Sequence, residues 1–81
     1  MEAEEYQGWV YVNSSQIEAL RYLRETDIME IRFKGKKGAK GPTYRYFGVP
    51  RTVFEELISA KSVGKAFHAE VKSKFACKKE E

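Results

Sequence analysis

Alternation of apolar and charged residues in the middle of the chain restricts its fold more than any other feature. Met29, Ile31 and Phe33 occupy every second position of "IMEIRFKG", and charged residues stand between them. Successive side chains of a β-strand point to opposite faces of a sheet, so this segment is predicted to be a strand with one buried and one wet face.

The next two segments predict an antiparallel hairpin with a basic tip. Residues 34–42, "KGKKGAKGP", hold three glycines and four lysines and are predicted to form an exposed loop. "TYRYFGV" is predicted to be the returning strand, with Tyr44 and Tyr46 on one face and Arg45 and Phe47 on the other. Which of these faces is covered stays open at this point.

Strand and helix signals on either side of the hairpin give the remaining elements. "WVYV" at residues 9–12 and "SQIEALRYL" read as extended segments, and "RETD" as a turn. Pro50 is typical of a first helical turn, which predicts a helix over about residues 50–60. Ser62 is a typical N-cap for a second helix. Its apolar residues recur every four positions: Val63, Phe67, Val71 and Phe75.

Together these elements predict a two-layer α+β domain, in which two C-terminal helices pack on one face of a small antiparallel sheet of three to four strands. A chain of 81 residues has room for one such core. We expect a single domain over residues 9–75, a frayed acidic N-terminus at 1–8 and a charged C-terminal tail at 76–81.

Cysteine content and the N-terminus predict a cytoplasmic protein without a membrane span. Cys77 is the only cysteine, so the chain cannot form an internal disulfide. "MEAEEYQG" lacks the basic and apolar regions of a signal peptide, and no apolar run approaches the roughly 20 residues that cross a bilayer.

Few residues suit catalysis or metal binding, and we expect neither enzyme activity nor a cofactor. The chain has one His, one Cys and one Asp. On a continuous helix, His68 and Cys77 would face opposite ways, about 180° apart. Ser14 and Ser15 are expected to bond to the backbone at a bend.

Charge is distributed unevenly, which favours a polyanionic partner. Residues 1–30 carry seven acidic and two basic residues, a net charge of −5, whereas residues 31–81 carry thirteen basic and five acidic residues, a net charge of +8. A basic half can attract nucleic acid, although a lysine-rich surface that only keeps the protein soluble is the alternative. Two groups of basic residues could hold phosphates: Lys34, Lys36, Lys37 and Lys40 in the loop, and Lys61, Lys65, His68 and Lys72 along the last helix.

Tyr44 and Tyr46 would add a stacking surface if their face of the sheet is open, because aromatic side chains stack on unpaired bases. Trp9 and Tyr11 would extend that surface. The alternative is that both tyrosine rings pack at the edge of the core.

The order of motifs resembles the KTSC domain family, named after the C-terminal extension of some lysyl-tRNA synthetases. The resemblance spans roughly residues 10–75 and rests on "NSSQI", "YRYFGVP" and "VFEELISAKSVG". Tyr44 and Tyr46 match the family's Tyr-x-Tyr pair. The resemblance implies RNA binding, from the synthetase context. This chain differs by inserting "KKGAKGP" between the middle strands, and by carrying His68 where the family often has Asn.

These observations predict a non-catalytic module that binds RNA or single-stranded nucleic acid through the basic residues and the aromatic side chains. Two alternatives remain: a protein-interaction adaptor that uses the same aromatic face, and a homodimer that covers an open apolar face of the sheet. The predicted contact residues are Tyr44, Tyr46, Arg45, Lys34, Lys36, Lys37, Lys40, Lys61, Lys65, His68 and Lys72.

Overall fold

The computed structural model describes residues 8–23, 25–36 and 40–80. These residues form one antiparallel sheet whose strands follow sequence order, with two helices inserted before the last strand. The elements are β1 (Val10–Tyr11), β2 (Ile17–Leu23), β3 (Ile28–Lys34), β4 (Lys40–Phe47), α1 (Arg51–Ser59), α2 (Val63–Glu70) and β5 (Cys77–Glu80). The α+β class is confirmed, and the described sheet has five strands rather than three or four.

The β3–β4 hairpin is confirmed, but its loop is shorter than the predicted 34–42. Lys34 ends β3 and pairs with Lys40, which begins β4, after an irregularity between Arg32 and Lys34. Gly41 permits this pairing, because a Cβ there would overlap the Phe33 carbonyl oxygen and lie 2.8 Å from the Lys34 carbonyl carbon. Residues 37–39, and with them Lys37, lie outside the described residues, as does the acidic N-terminus up to residue 7.

Turns at the opposite end of the sheet join β2 to β3 and β4 to α1. Asp27 adopts a left-handed conformation (φ 54°), and its carbonyl oxygen accepts a hydrogen bond from the Val49 amide at 2.9 Å. The buried Tyr22 hydroxyl donates to the Val49 carbonyl oxygen at 2.7 Å. These bonds tie the β2–β3 turn to the segment that leads into α1.

Both helices pack on one face of the sheet, as predicted, and bury the core between the two layers. Phe54 and Leu57 of α1 and Val63 and Phe67 of α2 are buried there. The Ser62 hydroxyl caps α2 by accepting a hydrogen bond from the Lys65 amide at 3.3 Å, which confirms the predicted N-cap. The sheet contributes buried residues from β2, β3 and β4: Ile17, Leu20, Tyr22, Met29, Ile31 and Tyr46.

The C-terminal segment differs from the prediction of a longer helix and a charged tail. Helix α2 ends at Glu70, and Ser73 is left-handed (φ 70°), so the chain reverses. Val71 is buried and Phe75 packs against the core, so both keep the apolar role that their spacing indicated, but from a turn. The following residues form β5, which pairs antiparallel with β4.

In the parts of the chain that the structure describes, no helix is long and apolar enough to cross a membrane.

Candidate functional site

A cleft lies where the first turn of α2 meets the segment that precedes β2. Its volume is about 310 Å³. The Ser14 hydroxyl accepts hydrogen bonds from the Gln16 and Ile17 amides, both at 3.2 Å, which confirms the predicted bend and holds this segment in place. The cleft is lined by Asn13, Ser14, Ser15, Gln16, Lys61, Ser62, Val63, Gly64, Lys65 and His68.

Gly64 lies in the first turn of α2, where the two walls of this cleft come close together. A Cβ at this position would lie 3.6 Å from the Gln16 Oε1 atom and 3.7 Å from the Ser14 Oγ atom, which are ordinary contact distances. The first turn of a helix carries partial positive charge, and Lys61 and Lys65 stand exposed beside it. The cleft is therefore polar and electropositive.

A second cavity, of about 460 Å³, continues from this cleft along α2. Gln16 and His68 line both spaces, so the two adjoin, and together they are called the α2 groove hereafter. Phe33 contacts both Tyr44 and Phe67 edge to face, with ring centroids 5.8 Å and 5.6 Å apart. The remaining lining residues are Tyr46, Lys72, Ser73, Phe75 and Cys77. This second cavity is mainly aromatic, with polar groups at its rim.

Tyr44 and Tyr46 lie on the helix-covered face, so the condition for an open stacking surface at these residues is not met and the alternative, packing at the edge of the core, applies. The register pairs Ile31 with Tyr44 and Met29 with Tyr46, which puts both tyrosines on the same face as the core residues of β3. Tyr46 is only 6% exposed, and burial, with smaller effects of Cys77 and Tyr44, raises its pKa to about 12. Tyr44 is half-buried and forms part of the wall of the aromatic cavity.

The basic residues predicted along the last helix do border one site. Lys61, Lys65 and His68 line the cleft, and His68 and Lys72 line the aromatic cavity. Lys61 precedes α2 and Lys72 follows it, so the four do not form a row on one helix. All four are exposed. Among the described lining residues of both spaces there is no Asp or Glu.

His68 and Cys77 do not face away from each other as a continuous helix would require. Helix α2 ends at Glu70, and β5 brings Cys77 back to the aromatic cavity that His68 also lines. No group of three or more His, Cys, Asp or Glu side chains that could hold a metal ion occurs in the described part of the chain.

The loop lysines reach the same end of the sheet as the cleft. The Lys34 amide donates to the Gln16 carbonyl oxygen at 2.9 Å, and the side chains of Lys34 and Lys36 are exposed. Lys37 and the side chain of Lys40 lie outside the described residues.

Arg45 lies on the opposite, open face, in a network that sequence reasoning missed. Glu30, on the predicted wet side of β3, is fully buried because Arg21 and Arg45 clamp its carboxylate from the two neighbouring strands. The Arg21 Nε and Arg45 Nη2 atoms donate to it at 2.9 Å and 2.8 Å, and Arg45 also pairs with Glu80 at 2.6 Å. Opposite charges on adjacent strands were the available signal, but they identify a pair only when the register is known.

Two pKa shifts follow from this network. Burial alone would raise the pKa of Glu30, but hydrogen bonds with Glu80, Arg21 and Arg45 hold it below its ordinary value of 4.5. Burial and the neighbouring Glu30 carboxylate raise the pKa of Glu80. Glu30 is therefore ionised at neutral pH and carries the charge that the two arginines need.

Aromatic residues of the open face are separated from the tyrosine pair by the sheet itself. Trp9 is engaged by two guanidinium groups, with the Cζ atoms of Arg21 and Arg32 at 4.7 Å and 4.3 Å from its ring centroid. Tyr11 is 64% exposed and Phe47 38% exposed. The predicted joint surface of Trp9, Tyr11 and the two tyrosines of β4 is therefore not formed.

The fold and the groove define a small α+β domain with a five-stranded antiparallel sheet in its described part, two helices on one face and an electropositive cleft between the layers. Residues 13–75 match the KTSC domain family, and the chain belongs to that family. A KTSC domain protein from Yersinia pestis has a similar crystal structure, with a TM-score of 0.79, 34% identity, and coverage of 90% of this chain and 96% of that one.

Similar sequences occur both in small proteins and within much larger ones. A protein from Tsukamurella paurometabola is 41% identical over 64 residues, which are 79% of this chain and 88% of that protein. Lysine–tRNA ligases from Trichormus variabilis and Nostoc sp. are each 41% identical over 61 residues, or 75% of this chain. The match covers only 10% of each ligase.

Proposed function

We propose that this protein is a non-catalytic cytoplasmic module that binds single-stranded nucleic acid, RNA in the first place, along the α2 groove. One observation carries the proposal: an aromatic cavity adjoins a cleft bordered by lysines, without a carboxylate among the described lining residues. Lysines attract phosphates, and aromatic side chains stack on unpaired bases. The matching region within lysine–tRNA ligases is consistent with RNA as the partner.

Concave placement of the aromatic rings favours a single strand over a duplex. Phe33 and Tyr44 sit in a cavity rather than on a protruding surface, so a base must leave its stack to reach them. Lys61, Lys65 and Lys72 then follow the backbone on either side. Lys34 and Lys36 extend the positive charge beyond the cleft, whereas Arg45 is not part of this interface because it lies on the opposite face.

Fluorescence anisotropy tests the proposal directly. A labelled single-stranded RNA of about 12 nucleotides, within the range that small binding modules occupy, is titrated at several salt concentrations. With three lysines on phosphates, log K should fall with log salt at a slope of about −2. A duplex of the same length and label is the control and should bind more weakly. No binding of the single strand at low salt, or binding that is indifferent to salt, would refute the proposal.

Contact with another protein through the open face is the second candidate. Phe47 is partly exposed there beside Arg45. Together with Lys78, Lys79 and Glu80 they line a space of about 330 Å³. Aromatic residues and arginine are enriched in protein interfaces. In a nuclease-treated pull-down, a stoichiometric partner that is retained by the wild type and lost with Phe47→Ser would favour this candidate.

A further inference from the structure

We infer that one nucleobase of the bound strand enters the aromatic cavity of the α2 groove while its own phosphate lies in the adjoining cleft. This inference rests on the proposed function and adds a defined nucleotide subsite to it. A strand bound through its phosphates alone would occupy the cleft but not the cavity. Phosphate binding alone and a base subsite therefore make different predictions.

Size and lining of the cavity fit a flat aromatic ring. Its volume of about 460 Å³ lies within the range of small-molecule sites, which are mostly apolar with a few polar groups that set orientation. Tyr44 and Phe75 are each half-buried, so their rings are packed against the core and still accessible from the groove. Gln16 stands at the rim, where its amide group can donate to and accept from a base edge.

The chemistry of the two adjoining spaces fits a ligand with an aromatic part and an anionic part. Gln16 and His68 line both the cavity and the cleft, so the two spaces adjoin and one molecule with two parts can reach both. The cleft supplies the Ser14 and Ser15 hydroxyls, Lys65 and the first turn of α2. A base linked through its ribose to a phosphate matches this order, and a purely apolar ligand would leave the cationic cleft without a counterion.

Nuclear magnetic resonance with small probes tests the subsite. Adenosine 5′-monophosphate, ribose 5-phosphate and inorganic phosphate are titrated separately into the isotope-labelled full chain. The nucleotide should shift the ring resonances of Tyr44 and Phe75 together with the amides of Gly64 and Lys65, whereas the two probes without a base should shift only the amides. The nucleotide should bind about tenfold more tightly than ribose 5-phosphate, as expected for one stacked base.

Two variants separate the two ends of the subsite. Gly64→Ala places a methyl group at ordinary contact distance from Gln16 and Ser14, so it narrows the cleft without a clash. It should weaken all three probes several-fold while the thermal stability is kept or raised, since Ala favours a helix over Gly. Phe75→Leu should weaken only the nucleotide. Lys78→Gln, on the opposite face, should leave every probe unchanged and serves as the control.

The outcomes of these titrations test the base subsite separately from the proposed binding of single strands. Equal affinity of nucleotide and ribose 5-phosphate without ring shifts would overturn the base subsite, and a single strand that still binds with a steep salt slope would leave the proposed function intact. Absence of strand binding in the anisotropy experiment would overturn both. An unchanged affinity of Phe75→Leu for the nucleotide would also overturn the subsite, because the base would then not stack in the cavity that Phe75 lines.

Discussion

Glu30 is the residue whose environment departs most from what its sequence position suggests. Its side chain is 1% exposed and binds Arg21 and Arg45, whose side chains are 32% and 40% exposed. We expect Glu30→Gln to lower the free energy of unfolding by about 2 kcal/mol, because charge-assisted hydrogen bonds are lost while the site stays buried. Urea denaturation measures this change. Glu56→Gln, at an exposed position of α1, is the control and should change stability little.

The stability of the protein should also depend on pH through the Glu30 carboxylate. The pKa of Glu30 is lowered in the folded state, so its contribution is present above the ordinary value of 4.5 and is lost as the pH falls through the folded value. The raised pKa of Glu80 acts in the opposite sense, since its contribution is lost as the pH rises. Urea midpoints are measured from pH 7 to about pH 3 for Glu80→Gln and for the double variant Glu30→Gln/Glu80→Gln. The midpoint of Glu80→Gln should fall more steeply below pH 4.5, because only this variant keeps the Glu30 carboxylate. Parallel curves would contradict this assignment.

Which residues share a face could be predicted, but not which face is covered. The period of two placed Tyr44 and Tyr46 together and Arg45 opposite them. Their position under the helices depends on the pairing of Ile31 with Tyr44, and that register follows from where the hairpin loop ends. The predicted loop covers residues 34–42, whereas Lys34 and Lys40 pair in the structure, and a difference of one residue in register exchanges the two faces.

Among the secondary-structure elements, the β3–β4 hairpin depends on one small residue. Gly41→Ala should destabilise the protein by about 1–3 kcal/mol, because the added methyl group meets the Phe33 and Lys34 backbone, which cannot turn aside as a side chain could. Thermal denaturation followed by circular dichroism measures the effect. Gly64→Ala is the matched control, since its methyl group meets only side-chain atoms at ordinary contact distance. Equal stability of the two variants would contradict this explanation.

Strand β5 was not predicted, and its composition shows why. "CKKE" has no alternation of apolar and polar residues, and its side chains are mostly exposed. Its order comes from backbone pairing with β4 and from the ion pair between Glu80 and Arg45, both of which join residues far apart in the sequence. The strands and helices with an apolar face were predicted because their periodicity is local, whereas the end of α2 depends on the reversal at Ser73.

At the scale of the whole molecule, the sheet separates two surfaces with different chemistry. The open face is centred on the ion pairs of Glu30, with Tyr11 and Phe47 exposed beside them. The helix side carries the α2 groove, with exposed lysines around an aromatic cavity. The net charge of +8 over residues 31–81 indicated a basic surface, but only the fold shows which lysines share one groove.

Replacing single lysines distinguishes RNA binding in the α2 groove from attraction to the basic surface as a whole. Lys61→Gln, Lys65→Gln and Lys72→Gln should each reduce the salt slope of single-strand binding by about 0.7, the value for one phosphate contact on a single strand. Lys78→Gln removes the same charge from the opposite face and should leave the slope unchanged, because a screened charge beyond the groove makes no phosphate contact. Anisotropy titrations of all four variants at matched salt concentrations measure these slopes. If Lys78→Gln lowered the slope as much as the groove variants, the attraction would belong to the basic surface as a whole.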